Sequence, residues 1–467
     1  MHQLFLLLLG QLSEPIVASV LYPFINQLIS EVGVTGGDDR KIGYYAGFIE
    51  SLFFFAEFTM VLRWGRLSDR IGRKPVILYG LTGMMISSFC FGLSKSYIAL
   101  VISRALNGAL SGNIGVMKSA ICEVTDETSM AEGFALLPVV WSVGGTIGPL
   151  LGGFLSKPQE KFPAVFSAQF WQDYPYFLPC ACAGLICLFT IIMLAVYLEE
   201  SLPSLKKNKE KHFEYKQHVR LDSLSPTDEP LLSSSQPDDE DTLVELPPPK
   251  QYTIWEILTP GVTVAVSNYA TLSLLDIARA ALIPLFYATP IEAGGLGFKP
   301  STIGVLLGVY GLLNGVMQTL FAARAQRRFG TKTVYVTALL SYFGNFTLLP
   351  LMNMAARAKG TESNPLLWCI LFLQLVLSVG GDAGFGCVFM FITSAAEKSQ
   401  LGATNGIAQS VGSLMRTIGP ASATSLFAWT MENGLLGGNL VYAIFITLTA
   451  ASLVVAIPLP SRVIRTI

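Results

Sequence analysis

Uncharged, mostly apolar stretches about 20 residues long recur along the chain and are separated by short polar segments. A helix needs about 20 apolar residues to cross a hydrocarbon layer roughly 30 Å thick, so each stretch predicts one membrane-spanning helix. We number these stretches spans 1 to 12, and they cover residues 4–30, 43–63, 75–94, 97–121, 131–155, 175–198, 260–289, 301–323, 333–353, 365–394, 402–430 and 436–459. The pattern predicts an all-α integral membrane protein.

One long polar segment, residues 199–252, divides the spans into two sets of six. It is basic at its start and then rich in Ser, Pro and acidic residues. Such a composition cannot bury an apolar core, so we expect a largely disordered linker. The chain is thus predicted to form an N-terminal six-helix bundle (1–198), a cytoplasmic linker (199–252) and a C-terminal six-helix bundle (253–467).

The two bundles share short sequences at matching places. Thr-Ile-Gly-Pro occurs in span 5 at 146–149 and in span 11 at 417–420, the fifth span of each bundle. The loop between spans 2 and 3, WGRLSDRIGRKPV, has a counterpart in the 8–9 loop, FAARAQRRFGTKTV, which aligns Gly72 with Gly330. Duplication explains both matches, and parallel repeats of this kind place a solute site between the bundles near the middle of the membrane.

Composition and charge support a membrane location. Of the 467 residues, 52% are hydrophobic and only 13% are charged, which is too few charges to cover an ordinary soluble protein. Most of the 31 Lys and Arg residues fall in loops on one side, and basic loops stay cytoplasmic. We therefore expect both termini in the cytoplasm. The acidic Ser/Pro linker favours a eukaryotic plasma membrane or vacuolar membrane.

The 2–3 loop fits the pattern GxxxD(R/K)xG(R/K)(R/K) at every defined position: Gly65, Asp69, Arg70, Gly72, Arg73 and Lys74. It resembles the hallmark loop of the major facilitator superfamily. The preceding Trp64 makes it similar to the drug:proton antiporter branch, which has twelve helices and includes zinc-induced-facilitator-like proteins of plants and fungi. The resemblance implies two pseudo-symmetric six-helix bundles, whose rocking opens a central cavity to each side in turn.

Each fixed position of this loop has a physical use. Gly65 lets two helices approach closely, and Gly72 permits a tight turn. Asp69 can lie against a helix N-terminus or a basic side chain, in a contact that opens and closes with the bundles. The alternative is a basic loop that only sets the topology.

Spans 4 and 5 carry further matches. In span 4, Arg104 lies in a segment that looks like LxxxRxx(Q/N)G, and the resemblance implies a role for this arginine in proton coupling. Span 5 matches the antiporter signature GxxxGPxxGG at Gly144, Gly148, Pro149, Gly152 and Gly153. Glycines four residues apart line one helix face and permit close packing, and proline can kink a helix. The alternative is a packing seam with no role in transport direction.

Ionisable groups cost about 2.5–3.5 kcal/mol each at the bilayer centre on insertion scales, so they should face the cavity and find partners. The proton-coupling candidates are Glu14, Glu50, Glu57, Arg104, Asp276 and Asp382. The resemblance implies that spans 1, 4, 7 and 10 line the cavity, which favours Glu14, Arg104, Asp276 and Asp382. Asp276 can also neutralise Arg279, three residues further on. Our hypothesis is that Glu14 or Glu57, near Arg104, carries the proton. The alternative is a fixed ion pair between Arg104 and one of these acids.

Polar and aromatic side chains within the spans are candidates for contact with solute: Tyr22, Asn26, Asn107, Asn113, Trp141, Asn314, Gln318 and Arg416. Aromatic residues with a few charges favour an amphipathic organic solute over a sugar, which needs many hydrogen-bonding partners.

No nucleophile and base pair, metal cluster or phosphate loop is apparent, so we predict no enzyme. The three histidines all lie outside the spans, which argues against a metal held by imidazole. We expect no cofactor beyond a proton gradient, no nucleic-acid partner, and a monomer that binds lipid and a small solute. The sequence favours proton-coupled export of that solute. The alternatives are a proton symporter or uniporter for a sugar or other nutrient, and a transporter-like nutrient receptor that signals through its linker.

Overall fold

The computed structural model describes residues 2–111, 114–125, 127–202, 254–361, 364–397 and 400–461. This described part consists of helices and their connections without a β-strand, which confirms the all-α prediction. We keep the span numbers for the helices: His2–Ser19 and Ile25–Val32 (span 1), Ile42–Ile71 (2), Arg73–Gly92 (3), Tyr97–Leu110 and Ile114–Val124 (4), Glu127–Leu155 (5), Phe177–Tyr197 (6), Pro260–Ala288 (7), Pro300–Met317 and Ala323–Phe329 (8), Thr331–Lys359 (9), Pro365–Ala395 (10), Leu401–Asn433 (11) and Leu440–Val455 (12).

Shorter helical turns connect the spans: Asp39–Lys41, Pro158–Lys161, Gln169–Asp173, Ile254–Ile257 and Leu435–Gly438. A π-helical turn, Gln318–Ala322, joins the two parts of span 8. Among the described residues, seven helices are long and apolar enough to cross a membrane by length and composition, namely those of spans 3 and 5 to 10. The others are broken, shorter or richer in polar residues. The predicted disorder of the linker concerns residues that, from 203 to 253, lie outside the described ranges.

Local sequence explains where several spans begin and break. The side chains of Ser96, Thr259 and Asn364 accept hydrogen bonds from backbone amides three residues ahead, and so cap spans 4, 7 and 10. Span 1 breaks between Ser19 and Ile25, where Pro23 disfavours a helical conformation for the residue before it. That residue is Tyr22, which the break leaves beside the central cavity.

The structure repeats the duplication seen in the sequence. Gly72 and Gly330 link spans 2 and 3 and spans 8 and 9, with φ of 106° and 86°, a conformation that favours glycine. Lys74 donates to the carbonyl of Ala195 at 2.8 Å, and Lys332 donates to that of Ile457 at 2.6 Å. Each lysine thereby ties the third helix of its bundle to the end of the sixth.

The two bundles touch mainly at one end of the molecule. We call the face that carries the 2–3 and 8–9 loops and both chain ends the basic face, and the opposite one the far face. Near the far face, spans 2 and 11 pack so closely that a Cβ on Gly43 or Gly47 would meet Thr424. Nearer the basic face, neither Gly65 of span 2 nor Gly406 of span 11 has a neighbour within 4 Å of an added Cβ. The bundles are therefore closed at the far face and parted at the basic face.

Span 5 forms the other close contact. Its Gly144, Gly148 and Gly152 lie against span 1, and its Gly153 lies against span 8. In span 11, Gly412 and Gly419 pack in the same manner against span 7. The close packing expected from the glycine spacing is confirmed, and the helix continues through Pro149.

We predict that Gly152→Ala destabilises the protein and that Gly145→Ala does not. An added Cβ at Gly152 would overlap the carbonyl oxygen of Val20, whereas Gly145 has no neighbour within 4 Å of such an atom. Overpacking costs about 1–3 kcal/mol. The melting temperature of the purified protein should fall by several degrees for Gly152→Ala only. Equal melting temperatures for the two variants would contradict the seam.

Candidate functional site

A central cavity of about 470 Å³ lies between the bundles. Residues of spans 1, 2, 5, 7, 8, 10 and 11 line it, and its charged lining residues are Glu14, Glu50, Glu57, Asp276, Arg279, Asp382 and Arg416. Span 4, which the family resemblance led us to expect at the cavity, contributes no lining residue among those described. Spans 1, 7 and 10 line it as expected.

The N-half cluster consists of Tyr22, Glu50 and Arg104. Arg104 donates from Nη2 to Glu50 Oε2 at 2.8 Å, and the Tyr22 hydroxyl donates to Glu50 Oε1 at 3.0 Å. The guanidinium also stacks over the ring of Phe53 at 4.2 Å. Arg104 is only 1% exposed, so it reaches the cavity through Glu50 and not directly.

The expected partner of Arg104 was wrong. We expected Arg104 near Glu14 or Glu57, with a fixed ion pair to one of these acids as the alternative, but Glu50 makes the ion pair. Glu50 and Glu57 lie on the same face of span 2 and are separated by about 10 Å, because seven residues rise 1.5 Å each. Arg104 lies level with Glu50, which is the acid nearer the far face. Its Nε and Nη1 atoms are buried without a hydrogen-bond partner in the described part of the chain.

The C-half cluster brings together Asp276, Arg279, Tyr310, Tyr342 and Asp382. Arg279 Nη2 donates to Asp276 Oδ1 at 2.7 Å, to Asp382 Oδ1 at 2.9 Å and to the Tyr310 hydroxyl at 3.0 Å. Tyr310 in turn donates to the second oxygen of Asp382, and Tyr342 donates to Asp276 at 3.1 Å. The predicted pairing of Asp276 with Arg279 is confirmed. The cluster holds two carboxylates against one guanidinium.

A third group, the charge quartet, lies nearer the basic face and consists of Glu14, Glu57, Lys118 and Arg416. These four charges interact through space, although no two of them form an ion pair within 4 Å. Glu14 is buried and accepts a hydrogen bond from Gln11 at 3.2 Å. Lys118 lies in the second helix of span 4, which begins at Ile114.

The remaining solute-contact candidates divide into three groups. Tyr22, Trp141, Asn314, Gln318 and Arg416 line the cavity. Asn26 lies in a smaller pocket behind Tyr22 and Glu50, and Asn107 is buried and bonded to Ser111 instead of lining the cavity. Asn113 lies outside the described residues.

The sequence reasoning missed several residues that line the cavity: Phe53, Phe54, Tyr287, Tyr310, Gln374 and Phe385. Tyr287 donates to Gln374 at 2.7 Å, and Gln374 donates to Asn345 at 3.0 Å in a buried network. Tyrosines and phenylalanines within apolar spans look like packing residues in the sequence. No sequence signal separates those that face the cavity.

Arg73 holds the 2–3 loop at the basic face. It pairs with Asp69 at 2.7 Å and with Glu123 of span 4 at 2.9 Å, which confirms the predicted contact between Asp69 and a basic side chain. The Glu200 carboxylate accepts from the first two backbone amides of span 3, at 2.8 and 3.2 Å. Ser201 donates to Glu123 at 2.7 Å. The described residues 199–202, which we had assigned to the linker, are therefore bound to this loop.

One expectation about the loops needs correction. Gly65 has no neighbour within 4 Å of an added Cβ, so the close helix approach expected there is absent while the bundles are parted at the basic face. In the 8–9 loop, Arg327 stands in the place of Asp69, and no ion pair forms there among the residues described. The ion-pair network thus belongs to the first bundle.

We predict that Arg73→Gln lowers the melting temperature by several degrees and that Arg70→Gln leaves it unchanged. Arg73 is 11% exposed and bonds two carboxylates, while Arg70 is exposed. A hydrogen bond to a charged group contributes about 1.5–3 kcal/mol. Thermal unfolding of the purified variants checks this difference. A larger loss for Arg70→Gln would show that the geometry of the loop is incorrect.

Comparison with known proteins identifies the family. The sequence model of the Major Facilitator Superfamily matches residues 7–420. The chain belongs to this superfamily. It is 30% identical to the major facilitator-type transporter psiT2 of Psilocybe cyanescens, over 94% of this chain and 86% of the relative. It is 28% identical to the multidrug transporter mfsB of Aspergillus fumigatus (93% and 79% covered) and 28% identical to ZINC INDUCED FACILITATOR 1 of Arabidopsis thaliana (90% and 82%).

Solved structures confirm the major facilitator fold with two bundles. The crystal structure of a D-xylose–proton symporter has a TM-score of 0.68 at 14% identity, with 98% of this chain and 97% of that chain covered. That of the human organic anion transporter MFSD10 has a TM-score of 0.57 at 18% identity, with 97% and 98% covered. The protein is therefore a multi-pass membrane transporter of small solutes and not an enzyme, and its relation to drug transporters and zinc-induced facilitators is confirmed.

Proposed function

We propose that this transporter exports a small organic solute carrying a basic nitrogen, in exchange for protons. The observation that carries the proposal is the excess carboxylate of the C-half cluster, where Asp276 and Asp382 share the single guanidinium of Arg279. An uncompensated carboxylate at membrane depth is costly, so it takes up either a proton or a cationic group. A proton and a solute cation that exclude each other from one site are exchanged across the membrane in opposite directions.

The other lining residues suit an amphipathic cation. Phe53, Phe54, Trp141 and Phe385 present aromatic surface to the cavity, and aromatic faces attract cations. The relatives that are named as a multidrug transporter and as an efflux pump also favour export.

The structure represents one state of the transport cycle, and the proton gradient sets the direction of net exchange. The bundles are parted at the basic face, and basic loops remain on the cytoplasmic side. Solute therefore enters the cavity from the cytoplasm in this state, with both termini on that side. The residence is the plasma membrane or the vacuolar membrane of a eukaryotic cell. One chain encloses a whole cavity, which supports a monomer as the working unit.

Exchange can be measured in sealed proteoliposomes with an acidic interior and an enclosed pH-sensitive dye. Benzyltrimethylammonium is a suitable probe, because its permanent charge prevents it from crossing the bilayer as a neutral base. Adding it outside should raise the interior pH faster than in empty liposomes, as protons leave in exchange. Interior acidification would indicate symport, and uptake without a pH change would indicate uniport. Either result would overturn the antiport proposal.

A further inference from the structure

Arg416 lines the cavity without a direct partner. The arginines of the two clusters, Arg104 and Arg279, both bind carboxylates, whereas Arg416 makes no hydrogen bond or ion pair with any residue that the structure describes. Arginine stays charged at physiological pH, and its planar fork of N–H donors matches the two oxygens of a carboxylate. The cavity thus contains an unfilled set of charged donors.

The surroundings of Arg416 leave these donors free. The other members of the charge quartet, Glu14, Glu57 and Lys118, balance its charge without approaching to ion-pair distance. An acidic group that enters the cavity can therefore bind Arg416 without first breaking an ion pair. Lys118 adds a second positive charge in the same region, which offsets the repulsion from the two glutamates.

The packing of spans 7 and 11 relates Arg416 to the C-half cluster. Gly412 of span 11 lies against Tyr269 of span 7, and Gly419 lies against Ile277. Because the two helices run parallel, Arg416 lies level with residues 273 and 274 of span 7. Asp276 and Arg279 follow on span 7. They are roughly 3–9 Å further from the basic face, at a rise of 1.5 Å per residue.

We propose that the solute is a zwitterion, with its basic nitrogen at the C-half cluster and an acidic oxyanion group at Arg416. This inference rests on the proposed function, because it uses the same excess carboxylate for the nitrogen. The two opposite charges of the solute are separated by an apolar body of about one aromatic ring, which fits beside Ile277 and Phe385. Arg416 is then the residue that distinguishes such a solute from a simple organic cation.

The test uses one scaffold with and without the acidic group. Binding of 4-(aminomethyl)benzoate and of its methyl ester is measured by calorimetry on the protein in lipid nanodiscs. We expect the acid to bind at least about tenfold more tightly than the ester, a difference of about 1.4 kcal/mol. Arg416→Gln should bring this ratio to about one, and Arg416→Lys should restore part of it. The exposed Arg328→Gln serves as the control and should keep the full ratio.

Equal binding of acid and ester by the unaltered protein, no binding of either compound, or a tenfold ratio that persists in Arg416→Gln would each overturn the zwitterion site. The benzyltrimethylammonium experiment separates this failure from that of the antiport proposal. If that cation exchanges for protons while acid and ester bind alike, only the zwitterion site falls. If the acid is preferred through Arg416 and no proton exchange occurs, only the antiport falls.

Discussion

Replacing Glu50 with glutamine should destabilise the protein far more than replacing Glu57, although both acids lie on one face of span 2. Glu50 forms the ion pair with Arg104, whereas Glu57 has no ion pair within 4 Å in the described part of the chain. Arg104 is 1% exposed and cannot lose its proton, so Glu50→Gln leaves a buried charge without compensation. Breaking a buried ion pair in this way costs about 3–5 kcal/mol.

Replacing Arg104 with glutamine should destabilise the protein less than replacing Glu50. In Arg104→Gln the remaining Glu50 is 13% exposed at the cavity, where water can solvate its charge. The double variant Glu50→Gln with Arg104→Gln removes both charges and should recover most of the lost stability. Melting temperature and the monodisperse fraction after purification report the effect. A Glu57→Gln variant as unstable as Glu50→Gln would show that the N-half cluster does not hold the first bundle together.

The family loops, the two bundles and the presence of charged groups in the cavity could all be predicted from the sequence. Loop positions such as Asp69 and Gly72 are defined by fixed spacing, and the structure shows them where that spacing requires. Likewise, an arginine that is almost fully buried within the membrane needs a carboxylate partner, and both Arg104 and Arg279 have one. The cost of burying a charge in lipid makes this inference independent of the fold.

The sequence could not predict which residues pair with Arg104 and which complete the C-half cluster. Helical periodicity reveals which face of span 2 carries Glu50 and Glu57, but not which of them lies level with Arg104. Tyr310 and Tyr342 come from spans 8 and 9 and complete the C-half cluster only after the second bundle has folded. The close approach expected at Gly65 depends on how far the bundles have rocked, and a sequence does not specify one position of that motion.

Asp382→Asn should strongly reduce proton-coupled exchange while leaving the fold intact. Like Glu50→Gln, this change replaces a carboxylate with an amide. Here, however, Arg279 keeps its ion pair with Asp276 at 2.7 Å, so no buried charge is left unpaired. The cluster then holds one carboxylate against one guanidinium and loses the excess charge that a proton or a solute cation would neutralise. The melting temperature should therefore stay close to that of the unaltered protein.

Exchange of benzyltrimethylammonium for protons should fall by roughly ten- to hundredfold in Asp382→Asn, since a hydrogen bond to a charged group contributes about 1.5–3 kcal/mol. The exposed Asp173→Asn, at the far face, should exchange at the unaltered rate. The two acid-to-amide changes then differ in kind: Glu50→Gln removes stability, and Asp382→Asn removes coupling. Undiminished exchange in Asp382→Asn would mean that the proton is carried elsewhere, and the charge quartet, with Glu14 and Glu57, would be the next place to look.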